Sequence, residues 1–154
     1  MNNLRTTTLD RLQHLVQDQI PESAGLEYKA KIPDGTSDAK REFLCDISAF
    51  SNTIGGTLIY GIDANKGVPT GFSPHVDDDI DSTILRLESL LRDGLDPRID
   101  GISIEPIKIN NGYVLLVHIP QSFSSPHRVS IRKHSGFYMR NSAGKYALDT
   151  FQIR

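Results

Sequence analysis

The sequence predicts an α+β fold, an α/β sandwich in which a mixed β-sheet carries about three helices. Three observations predict it. Apolar residues recur at helical spacing in three separate stretches, short runs between and after them alternate with a period of two, and helical and strand segments are interleaved along the chain. A chain of 154 residues is long enough for one domain to bury a core without covalent staples.

The elements follow in order. Thr6 to Gln19 reads as a helix, capped by Thr6, Thr7 or Thr8 and apolar at Leu9, Leu12, Val16 and Ile20, with Pro21 ending it. Leu26 to Ile32 alternates, placing Leu26, Tyr28, Ala30 and Ile32 on one face and Glu27, Lys29 and Lys31 on a charged outer face. Ser37 or Asp38 caps a second helix, about Ala39 to Thr53, which packs through Phe43, Ile47, Phe50 and Ile54 and stops at Gly55-Gly56. Thr57 to Ile62 is apolar enough for a central strand, Asp63 to Gly67 turns, and Val68 to Phe72 continues as a hairpin partner. A third helix fits Asp78 to Leu91, with Ile80, Ile84, Leu87 and Leu91 inward and acids at its positive end. Ile102 to Ile109 and Tyr113 to Ile119 form a hairpin across Asn110-Asn111-Gly112. After a polar loop from Pro120 to Pro126, His127 to His134 gives a short basic strand and Phe137 to Arg140 the last one. Residues 1–19 are thus an N-terminal helix and 20–154 the domain proper. The closing stretch, Asp149 to Arg154, is still apolar-periodic, which suggests that a longer parent protein continues here.

Composition narrows the class further. Hydrophobic and charged contents of 38% and 23% are ordinary for a soluble domain, and the formal net charge of −2 means that any nucleic acid must be held by local patches. The single cysteine, Cys45, rules out an internal disulfide and a Cys-rich zinc site; it reads as an inert buried thiol in a reducing, cytoplasmic setting. No run approaches the roughly 20 apolar residues of a membrane helix, and the first residues lack a signal-peptide stretch.

Several motifs, taken together, resemble one family. Glu22-Ser23 precedes Leu26-Glu27-Tyr28-Lys29; then come Ser48-Ala49-Phe50-Ser51-Asn52-Thr53, Gly55-Gly56 and Tyr60-Gly61-Ile62-Asp63, and later Pro126-His127 and Phe137-Tyr138-Met139-Arg140-Asn141-Ser142. In this order they resemble the divergent Alba-like domain of Schlafen proteins, over about Ile20 to Ser142. The resemblance implies a mixed α/β domain, a nucleic-acid ligand with RNA favoured over DNA and, in some members, metal-dependent endoribonuclease activity on structured RNA such as tRNA. It places the three acids of the nuclease members on Glu22, Glu27 and Asp63, as ligands of Mg²⁺ or Mn²⁺. Zinc is not expected, because one cysteine cannot reproduce the family's Cys/His site. Nuclease members pair two lobes, so this single lobe implies a homodimer or a partner domain that completes the cleft.

The residues themselves leave alternatives open. Clustered carboxylates hold a hard divalent cation, and Lys29 on the same strand face as Glu27 could stabilise charge at a phosphate; equally, Glu22 could be a loop acid, Glu27 and Lys29 a surface pair, and Asp63 a turn-former. Glu27-x-Lys29 also matches half of a restriction-type nuclease signature. His127, Arg128, Arg132, Lys133 and Arg140, interleaved with aromatics, could join Lys29 and Lys31 in gripping phosphates, or could be charges that guard a sheet edge. Nothing resembles a phosphate-binding Gly-Lys-Ser/Thr loop, so no nucleotide cofactor is expected. Asp77 to Asp81 lacks the glycine and distal glutamate of a calcium loop and reads as helix-start acids. The leading expectation is a nucleic-acid-binding domain with a metal-dependent endoribonuclease as its sharper form. The alternatives are a non-catalytic regulatory module, in transcription control or phage defence, and an oligomerisation module.

Overall fold

The computed structural model describes residues 3–76 and 79–148. Within them three helices form, α1 (Asn3–Gln17), α2 (Ser37–Ser51) and α3 (Ile80–Gly94). The first sheet joins β1 (Leu26–Lys29), β2 (Gly56–Tyr60), β7 (Gly112–Ile119) and β6 (Ser103–Ile109) in the order β1-β2-β7-β6. β1 runs parallel to β2 and the other pairs are antiparallel, so the sheet is mixed. A second, antiparallel sheet has the order β10-β9-β8-β5, from β5 (Leu95–Asp96), β8 (Arg128–Ile131), β9 (His134–Asn141) and β10 (Gly144–Ala147). β3 (Ile62–Asn65) and β4 (Val68–Phe72) form a separate hairpin. The α+β architecture expected from the sequence is the one observed.

Helix α2 decides the rest. Its N-cap Thr36 accepts from Ala39 N at 3.2 Å, satisfying a free donor of the first turn. From Phe43 to Asn52 every residue is buried, because α2 lies between the first sheet and the β8–β9–β10 layer. Phe43, Leu44, Ile47 and Phe50 are wholly inaccessible and join Leu58, Leu115, Val117, Ile119, Leu87 and Val129 in the larger core. Each fully buried side chain of this kind contributes about 1.5–3 kcal/mol. The opposite face of the first sheet packs Tyr28, Ile59, Ile107 and Val114, together with Ile62 of β3, against Leu12 of α1.

Several boundaries differ from the sequence reading. α1 begins at Asn3, so Thr6 to Thr8 lie inside it rather than capping it. Ile54 does not pack with α2; it is 58% exposed, because the helix stops at Ser51. The stop follows from Gly55 and Gly56, whose φ values are +74° and +152°. A Cβ on Gly56 would collide with the backbone of Gly25, whose Cα would lie 2.8 Å away. β5 and β10 were not anticipated. The expected start of α3 at Asp78 and the apolar-periodic end from Asp149 to Arg154 lie outside the described residues. No helix among the described residues is long and apolar enough to cross a membrane.

Candidate functional site

The alternation of β1 is real, but its charged face is not an outer one. Tyr28 turns toward α1, while Glu27 and Lys29 turn toward α2 and are only 14% and 29% exposed. Lys29 Nζ sits among three carboxylates, 3.3 Å from Glu27 Oε2, 3.0 Å from Glu42 Oε2 and 3.4 Å from Asp46 Oδ2. Lys145 of β10 reaches the same acids, 2.7 Å from Glu42 and 2.8 Å from Asp46 Oδ1. Arg140 of β9 closes the cluster, 2.6 Å from Glu27 Oε1. Three acids therefore meet three cations.

Burial and charge act against each other here. Burial pushes the Asp46 carboxyl up to about 6, although Lys29 and Lys145 pull it down. Burial by itself would lower Lys29, but Asp46, Glu27 and Glu42 together raise it; Lys145 is raised by Asp46 and Glu42 in the same way. Burial would raise Glu42, and the two lysines bring it below its ordinary value. Burial also holds Tyr60, on the floor of the cluster, well above its ordinary value.

The acids expected to hold a metal have other partners. Glu22 Oε2 accepts from Tyr28 N at 2.9 Å, and the Glu22 backbone is fixed to Gly67 O at 2.8 Å. Glu27 is committed to Arg140 and Lys29. Asp63 lies in β3, not in a turn; it is exposed and accepts from Ser73 Oγ at 3.0 Å. Among the described residues no three His, Cys, Asp or Glu side chains are grouped so as to hold a metal ion. In this arrangement the donors do not fit Mg²⁺ or Mn²⁺.

Two of the expected nucleic-acid contacts are corrected. His127 is 1% exposed, with Nδ1 at 2.6 Å from Pro97 O and Nε2 against Ser122 Oγ, so its ring is a core strut. Arg140 is buried; besides Glu27 it donates to Ser23 O and Ala24 O, and it lies 4.0 Å over the Phe50 ring. His127 has both ring nitrogens engaged and the Arg140 side chain is 2% exposed, so neither presents a charge to a phosphate. Arg128 is half exposed and tied to Ser135 Oγ and Asp96. Arg132 and Lys133 remain exposed at the β8–β9 turn, where with Arg41, His134, Ser37 and Asp38 they border a cleft of about 240 Å³. Across α2, Lys31 is exposed beside a second cleft of about 220 Å³, floored by Lys29, Glu42, Asp46 and Tyr60.

Sequence reasoning missed Glu42, Asp46, Lys145 and Asn52. For Asp46 a signal existed: it lies three residues after Phe43 and four before Phe50, a carboxylate on the apolar stripe of its helix. Asn52 holds the layers together. Its Nδ2 donates to His127 O at 3.2 Å and Tyr138 O at 2.9 Å, and its Oδ1 accepts from His127 N at 2.8 Å.

A family model described as Schlafen, AlbA_2 matches residues 22–149, from the acid that opens the site to just past the strand carrying Lys145. The chain belongs to this family. α1 lies before the region matched to the Schlafen AlbA_2 family and covers the second face of the first sheet. Among solved structures, the chain is similar to the N-terminal domain of a putative ATP-dependent DNA helicase RecG-related protein from Nitrosomonas europaea. The TM-score is 0.59 at 23% identity, over 86% of each chain. It is also similar to the DIP2311 protein from Corynebacterium diphtheriae, with TM-score 0.54 and 14% identity over 94% of this chain. It spans only 27% of the length of that protein. At these identities the likeness is one of fold. No curated protein matches the chain.

Proposed function

We propose that this Schlafen AlbA_2 domain binds nucleic acid, with RNA as the ligand, by gripping phosphates across the N-terminal half of α2. The observation that carries the reading is the set of exposed cations flanking that half-helix, Arg41, Arg132 and Lys133 on one side and Lys31 on the other. Phosphate contacts position a nucleic acid without reading its sequence, and cations with free donors are what they need. Membership in the family supports a nucleic-acid-related role, and the near-neutral whole chain makes the local patch decisive. The face is small for one copy, so a second copy or an adjoining domain would extend it; sedimentation of the free and RNA-bound protein tests that.

The test is a mobility-shift titration with labelled tRNA and with single-stranded RNA and DNA, at several salt concentrations. Binding that weakens with salt and is lost in Arg132→Glu/Lys133→Glu supports the reading. Binding indifferent to both charges removes it.

Cleavage is the sharper form of the same proposal. It would require Glu22, Glu27 and Asp63 to leave their present partners. RNA cut in Mn²⁺ but not in EDTA, with the cut lost in Asp63→Ala and Glu27→Gln, would establish it. Intact RNA that still shifts confines the domain to binding.

A further inference from the structure

The binding reading rests on cations outside the charged cluster and leaves the cluster, with Asp46 as its most buried acid, without a role. Its side chain is 1% exposed, yet it lies between two lysines that reach the surface, Lys29 at 29% and Lys145 at 24% exposure. The groups facing it come from every neighbouring element. β1 supplies Glu27 and Lys29, β10 supplies Lys145, α2 itself supplies Glu42 and Cys45, and β2 supplies Tyr60. β9 adds Arg140, committed to Glu27, and Tyr138, beside Cys45.

With every member charged, Glu27, Glu42 and Asp46 balance Lys29, Lys145 and Arg140, and the cluster is neutral. Removing the charge of Asp46 leaves one net positive charge and leaves Glu42, half exposed, to be shared by both lysines. Lys29 comes from β1 and lines the same cleft as Lys31, while Lys145 comes from β10 and reaches that cleft through Glu42, which lines it and lies 2.7 Å from its ammonium.

We propose that Asp46 is an internal competitor for the phosphate-binding lysines: ionised, it holds Lys29 and Lys145 in the neutral cluster, and protonated, it releases them to a nucleic-acid phosphate. This deepens the nucleic-acid reading and rests on it. The competition is electrostatic, so the carboxylate and a phosphate oppose each other for the same ammonium groups. Burial places the Asp46 carboxyl at about 6, so the release falls in a mildly acidic range.

The experiment measures the affinity of a labelled single-stranded RNA by anisotropy, from about pH 5 to about pH 8 and over a salt series. The chains compared are wild type, Asp46→Asn, Lys145→Gln and Arg132→Glu/Lys133→Glu. Asp46→Asn should bind about fivefold tighter than wild type at neutral pH and steepen the salt slope by about one. Wild type should approach it as the pH falls through about 6. Lys145→Gln, which takes a cation from Asp46, should move that midpoint to higher pH. Folded Asp46→Asn with wild-type affinity, slope and pH profile overturns the inference; should that variant not fold, an unmoved midpoint in Lys145→Gln does so. If Arg132→Glu/Lys133→Glu weakens binding while both other variants behave as wild type, the inference alone fails. If wild type binds nothing, the nucleic-acid reading fails and this inference with it.

Discussion

Arg140 donates to Glu27 Oε1 at 2.6 Å, joining β9 to β1 across 113 residues of sequence. The same guanidinium holds Ser23 O and Ala24 O, so one side chain fixes the entry into β1, the orientation of Glu27 and the stack on Phe50. A residue that reads as a phosphate grip in the sequence is therefore a clamp inside the protein.

Replacing it follows from that geometry. Arg140→Ala leaves Glu27 in a half-buried site with only Lys29, and should cost about 3–5 kcal/mol in urea unfolding. Arg140→Lys should recover little, since an ammonium cannot serve a carboxylate and two carbonyls in fixed directions. A stability loss below about 1 kcal/mol would show that the clamp carries no weight.

Asn52 makes three hydrogen bonds to the backbone of the second layer. Asn52→Ala orphans buried backbone groups of His127 and Tyr138 and should destabilise by about 2–4 kcal/mol. Asn52→Asp keeps the acceptor, loses both donors and adds a buried charge, so it should be at least as harmful. Denaturant midpoints of the two variants check the order.

Asp46 also predicts how stability depends on pH. Its carboxyl rises to about 6 in the folded chain, from an unfolded value of about 3.9. Between these two values the folded state holds a proton that the unfolded state has lost. The Asp46 contribution is therefore complete below about pH 4 and is lost as the pH rises through about 6. Relative to Asp46→Asn, wild type should lose about 2–3 kcal/mol of stability over that rise, at roughly 1.4 kcal/mol per unit. A flat difference curve from urea titrations at each pH would contradict it.

Arg132 and Lys133 sit at a turn and touch no core residue through their charges, so reversing both should leave the fold intact. If they contact phosphates, Arg132→Glu/Lys133→Glu should lower the slope of log affinity against log salt by about two. The salt series reads that slope directly, and an unchanged slope removes these residues from the interface.

Much of the fold was legible in advance. The three helices, the strands that begin at Leu26 and near Thr57, and the Asn110–Gly112 hairpin follow from local periodicity and turn chemistry, which act over a few residues. The site was legible only in part. Glu27 and Lys29 were singled out and do share one face, but the alternation of β1 cannot say which face meets a helix. His127 and Arg140 look alike as exposed cations in the sequence. Their burial depends on Asn52, Pro97, Ser122 and Ser23, which lie far from them along the chain.

By itself, then, the sequence determined element types, the order of the chain, the family motifs and a carboxylate on the apolar stripe of α2. Only the tertiary structure decided that α2 is enclosed between two sheets, which turns the charged face of β1 inward and makes neutral pairing obligatory there. It also decided that Lys31, Arg41, Arg132 and Lys133 stay outside on the two sides of α2. The physical reason is that secondary structure answers to neighbours three or four residues away, while the fate of a charge depends on whichever surface is packed over it, and that surface comes from another part of the chain.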